Sequence, residues 1–160
     1  MELATKRKIK LKELRSQDII KIAPVVIRVL APNLPLLDES PVNNNSLVLQ
    51  LTYNDFKLLL TGDLEVEGEE RLLANCFNLN TTVLKVAHHG SNTSTSKEFI
   101  RKIRPHLAVV SVGTNNYGHP SSKVIKNLQI RDIKVLRTDQ QGAITLETDG
   151  YQYRYRSYIK

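Results

Sequence analysis

The run Val83-Leu84-Lys85-Val86-Ala87 passes straight into His88-His89-Gly90-Ser91. A nearly continuous apolar segment of this length reads as a strand buried on both faces, which needs a layer on each side of the sheet. Leu107 to Val112 reads the same way and leaves through Gly113 into Asn115-Asn116-Tyr117-Gly118-His119-Pro120. Between the two, Thr95-Ser96-Lys97-Glu98 has capping-box spacing, with Phe99, Ile100 and Ile103 as a buried helical stripe and Pro105 as its stop. Helices that alternate with buried strands point to an α/β chain with a mixed sheet.

The rest of the chain fits that frame. Lys8-Ile9-Lys10-Leu11-Lys12 alternates with period two, so a strand with one wet face is expected within residues 6–14. Short β-branched runs follow at residues 19–22 and 25–30, the second ended by Pro32. Residues 32–46 hold three prolines and Asn43-Asn44-Asn45-Ser46, a surface loop by composition. Residues 47–53 and 56–60 form a hairpin around Asn54-Asp55. A helix over residues 67–76 opens with Glu67, Glu69 and Glu70, the negative first turn that the helix dipole favours, and is weakened by Gly68. Val124, Ile125 and Leu128 mark another helix after Ser121, residues 133–136 a strand, and residues 143–148 and 151–158 a last hairpin around Asp149-Gly150. No internal repeat or low-complexity linker interrupts the chain, so residues 1–160 are expected to form a single domain.

Composition excludes several classes. No apolar run approaches the roughly 20 residues needed to cross a bilayer, and no apolar segment follows the N-terminal charges as in a signal peptide. The chain as given is expected to be soluble. One cysteine, Cys76, rules out an internal disulfide, and its helical spacing suggests a small buried core residue. Residues 1–30 carry eight Lys and Arg against three acids, and residues 151–160 carry three against none, so the net charge of +7 comes from the two ends. Basic ends attract polyanions through counterion release, although charge runs more often form solvated faces.

Three buried strands end in residues able to bind metal or phosphate: Asp63 after the first, His88 and His89 after the second, and His119 a few residues beyond the third. In open α/β sheets, ligands collect beyond the carboxyl ends of strands. Carboxylate and imidazole together suit zinc, manganese or iron. If His88 and His89 continue the extended chain, they point to opposite sides, one toward a metal and one toward substrate or a supporting bond; the sequence leaves open which. Gly90 permits a tight turn, and Ser91, Asn92, Thr93, Ser94 and Thr95 offer hydroxyls and backbone N–H groups near a helix start, an environment suited to an anion. Each element alone has a plainer explanation: Asp63 as a turn residue, His119 before Pro120 as a loop residue, Glu65 with Glu67, Glu69 and Glu70 as a helix start. Their shared position at strand exits is what sets them apart.

In order and spacing, Asn43-Asn44-Asn45-Ser46-Leu47-Val48-Leu49, Leu59-Leu60-Thr61-Gly62-Asp63, Leu84-Lys85-Val86-Ala87-His88-His89-Gly90-Ser91, Val110-Ser111-Val112-Gly113 with Tyr117-Gly118-His119-Pro120, Arg137-Thr138-Asp139 and Gly142-Ala143-Ile144 resemble the hydrolase domain of ComEC-type DNA-uptake competence proteins. The resemblance spans roughly residues 6–157. It implies half, or slightly more, of a four-layer αββα metallo-β-lactamase sandwich, with a mixed sheet and flanking helices. It also implies two divalent metal ions, zinc or manganese, in the complete domain. By that resemblance Asp63 would bridge the metals. One of His88 and His89 would be a terminal ligand and the other would contact a substrate phosphate. His119 would line the site near the phosphates, with Ser91, Asn92 and Tyr117 as further substrate contacts. The implied reaction is phosphodiester hydrolysis of DNA, as by a nuclease acting in transformation, and the parent proteins span the bacterial plasma membrane as a DNA-uptake channel.

The family's first metal motif, His-x-His-x-Asp-His or a close variant, has no counterpart, since no histidine precedes His88. The chain therefore offers about two or three ligands where a closed zinc position uses four. The expectation is a truncated or split product, inactive alone, that associates with a complementary half or with itself. Two other readings compete. One is a non-catalytic DNA-binding module that grips a single strand through the basic ends and Tyr151-Gln152-Tyr153-Arg154-Tyr155-Arg156; against it, period two suggests that these tyrosines pack on a neighbouring layer. The other is a different hydrolase of the same fold, such as a phosphorylcholine esterase or lactonase.

Overall fold

A computed structural model describes residues 2–75 and 78–159. In chain order the elements are α1 (Glu2–Lys6), β1 (Ile19–Ile22), β2 (Val25–Ala31), α2 (Pro41–Asn44), β3 (Val48–Tyr53), β4 (Phe56–Leu60), α3 (Val66–Asn75) and β5 (Val83–Lys85). A 3-10 turn (Ala87–Gly90) follows, then α4 (Lys97–Ile103), β6 (Leu107–Val110), α5 (Ser122–Gln129), β7 (Lys134–Arg137), α6 (Thr138–Gln141), β8 (Ala143–Thr148) and β9 (Tyr153–Tyr158).

Strands β1 to β7 form one sheet in the order of the sequence, and β8 and β9 pair as a separate hairpin. The first four strands are antiparallel. From β4 onward the ladders are parallel, each reached through a crossover. The mixed α/β class expected from the alternation is therefore the class observed.

Adjacent residues of the parallel strands feed different cores. Leu84 and Ala108 face one side, where Leu64 and Leu72, Phe99, Ile100 and Ile103, and Val124 and Leu128 pack from the α3, α4 and α5 segments. Val83, Leu107 and Leu136 face the other side with Phe56, against Ile144, Leu146, Tyr153 and Tyr155 of the terminal hairpin. The layers are thus helices, a seven-stranded sheet and a two-stranded hairpin. Continuous apolar runs follow from having cover on both faces.

The tyrosines of β9 serve this packing. Tyr153 tilts against Phe56 with ring centroids 5.9 Å apart, and Lys134 Nζ sits 4.7 Å over the Tyr155 ring. Arg154 and Arg156 face outward toward Glu147. The expected inner tyrosine face is present, and two of the rings needed for base stacking are occupied elsewhere.

Two expectations fail at the N-terminal side. Residues 9–15 form no strand, and Ile9 and Leu11 are exposed. Alternation supplies two faces but no ladder partner, and the free edge of β1 takes none from this segment. The Asn43–Ser46 stretch is not merely a surface loop. Asn44 is buried; its Oδ1 accepts from Glu65 N (3.2 Å) and Gly68 N (3.1 Å), capping the start of α3 from outside the helix. Its Nδ2 donates to Glu39 O and Glu67 Oε2. Gly68, which weakens a helix intrinsically, is needed here because a Cβ would meet Leu64 and the Asn44 amide. Asn44→Ala is expected to cost about 2 kcal/mol in urea unfolding, since the buried Gly68 N–H and the part-buried Glu65 N–H lose their acceptor; a loss below about 0.5 kcal/mol would show that another group caps α3. The expected core placement of Cys76 lies outside the described residues. Among the described residues, no helix is long and apolar enough to cross a membrane.

Candidate functional site

The parallel strands β4, β5 and β6 all leave the sheet at one rim. At the first exit, Thr61 Oγ1 donates to Lys85 O (2.8 Å), tying the turn to the neighbouring strand. Gly62 follows with φ +55°, and a Cβ there would stand 2.9 Å from Ser46 Cβ. Ser46 Oγ accepts the Asp63 N–H (3.1 Å) and so fixes the backbone of the acid.

The second exit is bonded to the first. Gly62 O accepts from His88 N (3.1 Å) and from Lys85 Nζ (3.4 Å). The Thr-Gly-Asp and His-His-Gly turns therefore share one edge of the molecule. Lys85 was legible only as part of an apolar strand, yet its ammonium reaches this rim. Burial lowers its pKa, and the Asp63 carboxylate offsets part of that effect.

His88 and His89 do not continue the extended chain. Their φ/ψ values are 46°/43° and 54°/20°, both left-handed, and Gly90 follows at φ +83°. Successive left-handed residues cost on the order of 1–2 kcal/mol each and persist where surroundings over-determine them. Here Gly90 O accepts from Ser121 N (2.8 Å), and a Gly90 Cβ would lie 2.6 Å from Pro120 Cβ. The histidine turn is thus pressed onto the His119-Pro120 loop. Within this turn the two imidazoles take different partners. His88 lies 3.3 Å from Glu65 Oε1 through Nδ1. His89 Nδ1 lies 2.6 Å from Ser111 O at the third exit.

His119 closes the group. Its ring meets His88 edge-on, with centroids 5.6 Å apart, and stacks with exposed Tyr117 at 6.0 Å. Asn115 organises this loop: its Oδ1 accepts from Tyr117 N and His119 N, and its Nδ2 donates to Gly113 O and His119 O. Burial lowers the His119 pKa, and His88 and His89 lower it further. Thr138 Oγ1 is 2.7 Å from both Val112 N and Val112 O, bracing the third exit from β7.

The other expected substrate contacts are divided. Asn92 and Tyr117 are exposed at this end. Ser91 is buried, with its Oγ engaged by the hydroxyl and N–H of Thr93. Glu65, expected as part of a helix start, instead belongs to the site. Its Oε1 receives Asn43 Nδ2 (3.2 Å) and Thr93 Oγ1 (2.8 Å). Its pKa is lowered: burial opposes this, and bonds from Ser40, Thr93 and Asn43 together with the charge of His88 outweigh it. Proximity in sequence to Asp63 was the available signal.

The donors gathered here do not fit a closed metal position on their own. Among the described residues, no group of three or more His, Cys, Asp and Glu side chains could hold a metal ion. Among the described residues, one buried side-chain nitrogen, His88 Nδ1, makes no hydrogen bond.

Comparison with known proteins follows the same lines. The chain is 40% identical over 160 residues to ComE operon protein 3 of Bacillus subtilis, covering 99% of this chain and 20% of that protein. It is 43% identical over 104 residues to competence protein ComA of Neisseria gonorrhoeae, covering 64% of this chain and 15% of that protein. The chain therefore spans a fifth or less of the length of these relatives. A crystal structure named "Putative metal-dependent hydrolase", from Parabacteroides distasonis, superposes with a TM-score of 0.55 at 17% identity, over 86% of this chain and 61% of that one, and shares the fold. No family model matches.

Proposed function

We propose that this chain, a ComEC-like domain carrying about half of the metallo-β-lactamase fold, contributes Asp63 and a histidine cluster to a two-metal centre that hydrolyses phosphodiester bonds of DNA in a competence system. The observation that carries this reading is the bond from His88 N to Gly62 O, which joins the acid-bearing and imidazole-bearing turns at one rim beside His119. Competence-protein relatives support the DNA-uptake context.

The remaining ligands are proposed to come from polypeptide outside these 160 residues, in a His-x-His-x-Asp-His motif. Carboxylate and imidazole donors suit zinc or manganese. In this assignment Asp63 and one of His88 and His89 would hold the metal ions, which would supply an activated water, and the other histidine would meet a substrate phosphate. His119, backed by Tyr117, faces the phosphates, and Asn92 lies on the approach. Lys85 adds a cation at the same rim. The parent protein is proposed to be a membrane DNA-uptake channel with this domain attached.

The test is to co-express the chain with the segment that supplies the first half of the sandwich. Zinc and manganese binding are measured by calorimetry, and hydrolysis is assayed on linear DNA. Metal binding and DNA cleavage are expected in the combined protein and not in the chain alone. Asp63→Ala is expected to weaken metal binding by about 100-fold or more, since a first-sphere carboxylate is lost. A combined protein that binds neither metal sinks the reading. Cleavage of small phosphodiesters but not of DNA would move the assignment to an esterase of the same fold.

A further inference from the structure

We propose that Glu65 is a positioning residue that holds the proton of His88 on Nδ1, so that His88, like His89, offers Nε2 to the site. This rests on the reading above for its purpose, but not for its test.

Among the described residues, Glu65 is the polar neighbour of His88 Nδ1. That nitrogen is buried, makes no aligned hydrogen bond, and has the Glu65 Oε1 oxygen 3.3 Å away. The same oxygen already receives Asn43 Nδ2 and Thr93 Oγ1. Two donors fill its two lone-pair directions. The His88 contact is therefore electrostatic, off the hydrogen-bond line. Its sign is still decisive. A bare Nδ1 lone pair facing a carboxylate oxygen repels it, whereas an N–H attracts it. Within a site sheltered from water the difference is larger than in solution.

His89 reaches the same state by another route. Its Nδ1 lies 2.6 Å from a carbonyl oxygen, Ser111 O, which can only accept, so Nδ1 must donate. The hydrogen bond to one ring nitrogen sets which nitrogen is free. Free neutral histidine prefers the proton on Nε2, so two adjacent histidines in the other tautomer is a specific expectation rather than a default.

Glu65 is itself fixed before His88 arrives. Asn43 comes from the α2 segment and Thr93 from the loop after the histidine turn. The carboxylate thus joins three chain segments, and its own position leaves little freedom for the imidazole beside it.

The experiment is long-range 1H–15N correlation of the imidazole rings in the full chain without metal, at a pH of about 8.5, where histidines of ordinary pKa are neutral. His88 and His89 are expected mainly as Nδ1–H tautomers. In Glu65→Gln the carbonyl oxygen takes the Oε1 position, because Asn43 and Thr93 both donate there, so the negative charge beside Nδ1 is removed. His88 is then expected to gain a clearly larger share of the Nε2–H tautomer, with His89 unchanged as the internal control. Glu65→Asp, which keeps the charge but shortens the side chain, should restore part of the Nδ1–H population. An Nε2–H tautomer at His88 in the unsubstituted chain overturns the proposal even if the variants fail to fold. So does a His88 tautomer that ignores Glu65→Gln while the amide spectrum stays native. Neither readout uses metal or DNA, so failure here leaves the functional reading standing, and failure of metal binding leaves this one.

Discussion

Gly90→Ala is expected to lower the stability of the chain by about 3 kcal/mol, read as a reduced urea midpoint with unchanged slope. Two effects add. An L-residue at φ +83° costs on the order of 1–2 kcal/mol. The new methyl would also stand 2.6 Å from Pro120 Cβ and 3.2 Å from Pro120 Cα, and overpacking of this kind costs on the order of 1–3 kcal/mol. Neighbouring backbone cannot yield cheaply, because Gly90 O holds Ser121 N, the N-cap residue of α5. For a domain of this size the loss corresponds to roughly 6–12 °C in Tm. The same substitution should disturb the His88–His119 ring contact, visible as changed histidine ring shifts. A variant within about 0.5 kcal/mol of the parent would mean that the turn is not pressed onto Pro120 as described.

Stability is also expected to fall between about pH 5 and pH 8 through a single buried acid. Glu69 on α3 is fully buried and accepts the N–H groups of Thr95 and Ser96 at the entry to α4. Burial pushes its carboxyl up from 4.5 to about 7, against the opposing effect of those bonds. Between these values the folded chain binds the proton more tightly than the unfolded chain does. Its contribution is therefore fully present below pH 4.5 and is lost as pH rises through about 7. The full span is about 3 kcal/mol at 1.36 kcal/mol per pH unit. His119, with its lowered pKa, works in the opposite direction: it destabilises the fold as pH falls below its ordinary value of 6.5. The informative quantity is therefore the difference between the parent chain and Glu69→Gln in chemical unfolding at several pH values. The parent should lose stability relative to Glu69→Gln as pH rises from 5 to 8. Parallel curves would show that Glu69 is not protonated in the fold. Glu69→Ala, which leaves two N–H groups without their acceptor, should cost about 3 kcal/mol or more at pH 5.

Strands were the most legible part of the sequence because cover on both sides leaves an unbroken apolar record, as in residues 83–87 and 107–112. Helix stripes at residues 97–103 and 122–129 were legible for the same reason, while the cap of the first moved by one residue. Ser96, not Thr95, accepts the Phe99 N–H, because Thr95 sits at φ +54° with its N–H turned toward Glu69. That reach from α3 to α4 spans 26 residues and leaves no local trace. Glu69, read as part of a helix's negative first turn, and Asn44, read as part of a surface loop, are both buried, and burial of a polar group depends on partners distant in sequence. Residues 8–12 show the converse: a sound local pattern with no ladder to join.

Around the candidate site, strand exits were the useful signal. They singled out Asp63, His88, His89 and His119 as candidates, and the fold brings their segments to one rim. Missing from that list were Glu65 and Lys85, each hidden inside a pattern with an ordinary explanation. The left-handed histidine turn was also hidden, because Gly90 announced a turn without saying that the two residues before it share its conformation.

The seven-stranded sheet keeps its strands in the order in which they are synthesised. No strand must thread between two that are already paired, so each can be laid onto an open edge as it emerges from a ribosome. The β1–β4 meander can form first as a template, and each crossover then adds one parallel strand beside it. On that schedule, the acid-bearing turn leaves the ribosome and reaches the open sheet edge before the histidine turn emerges to lie beside it.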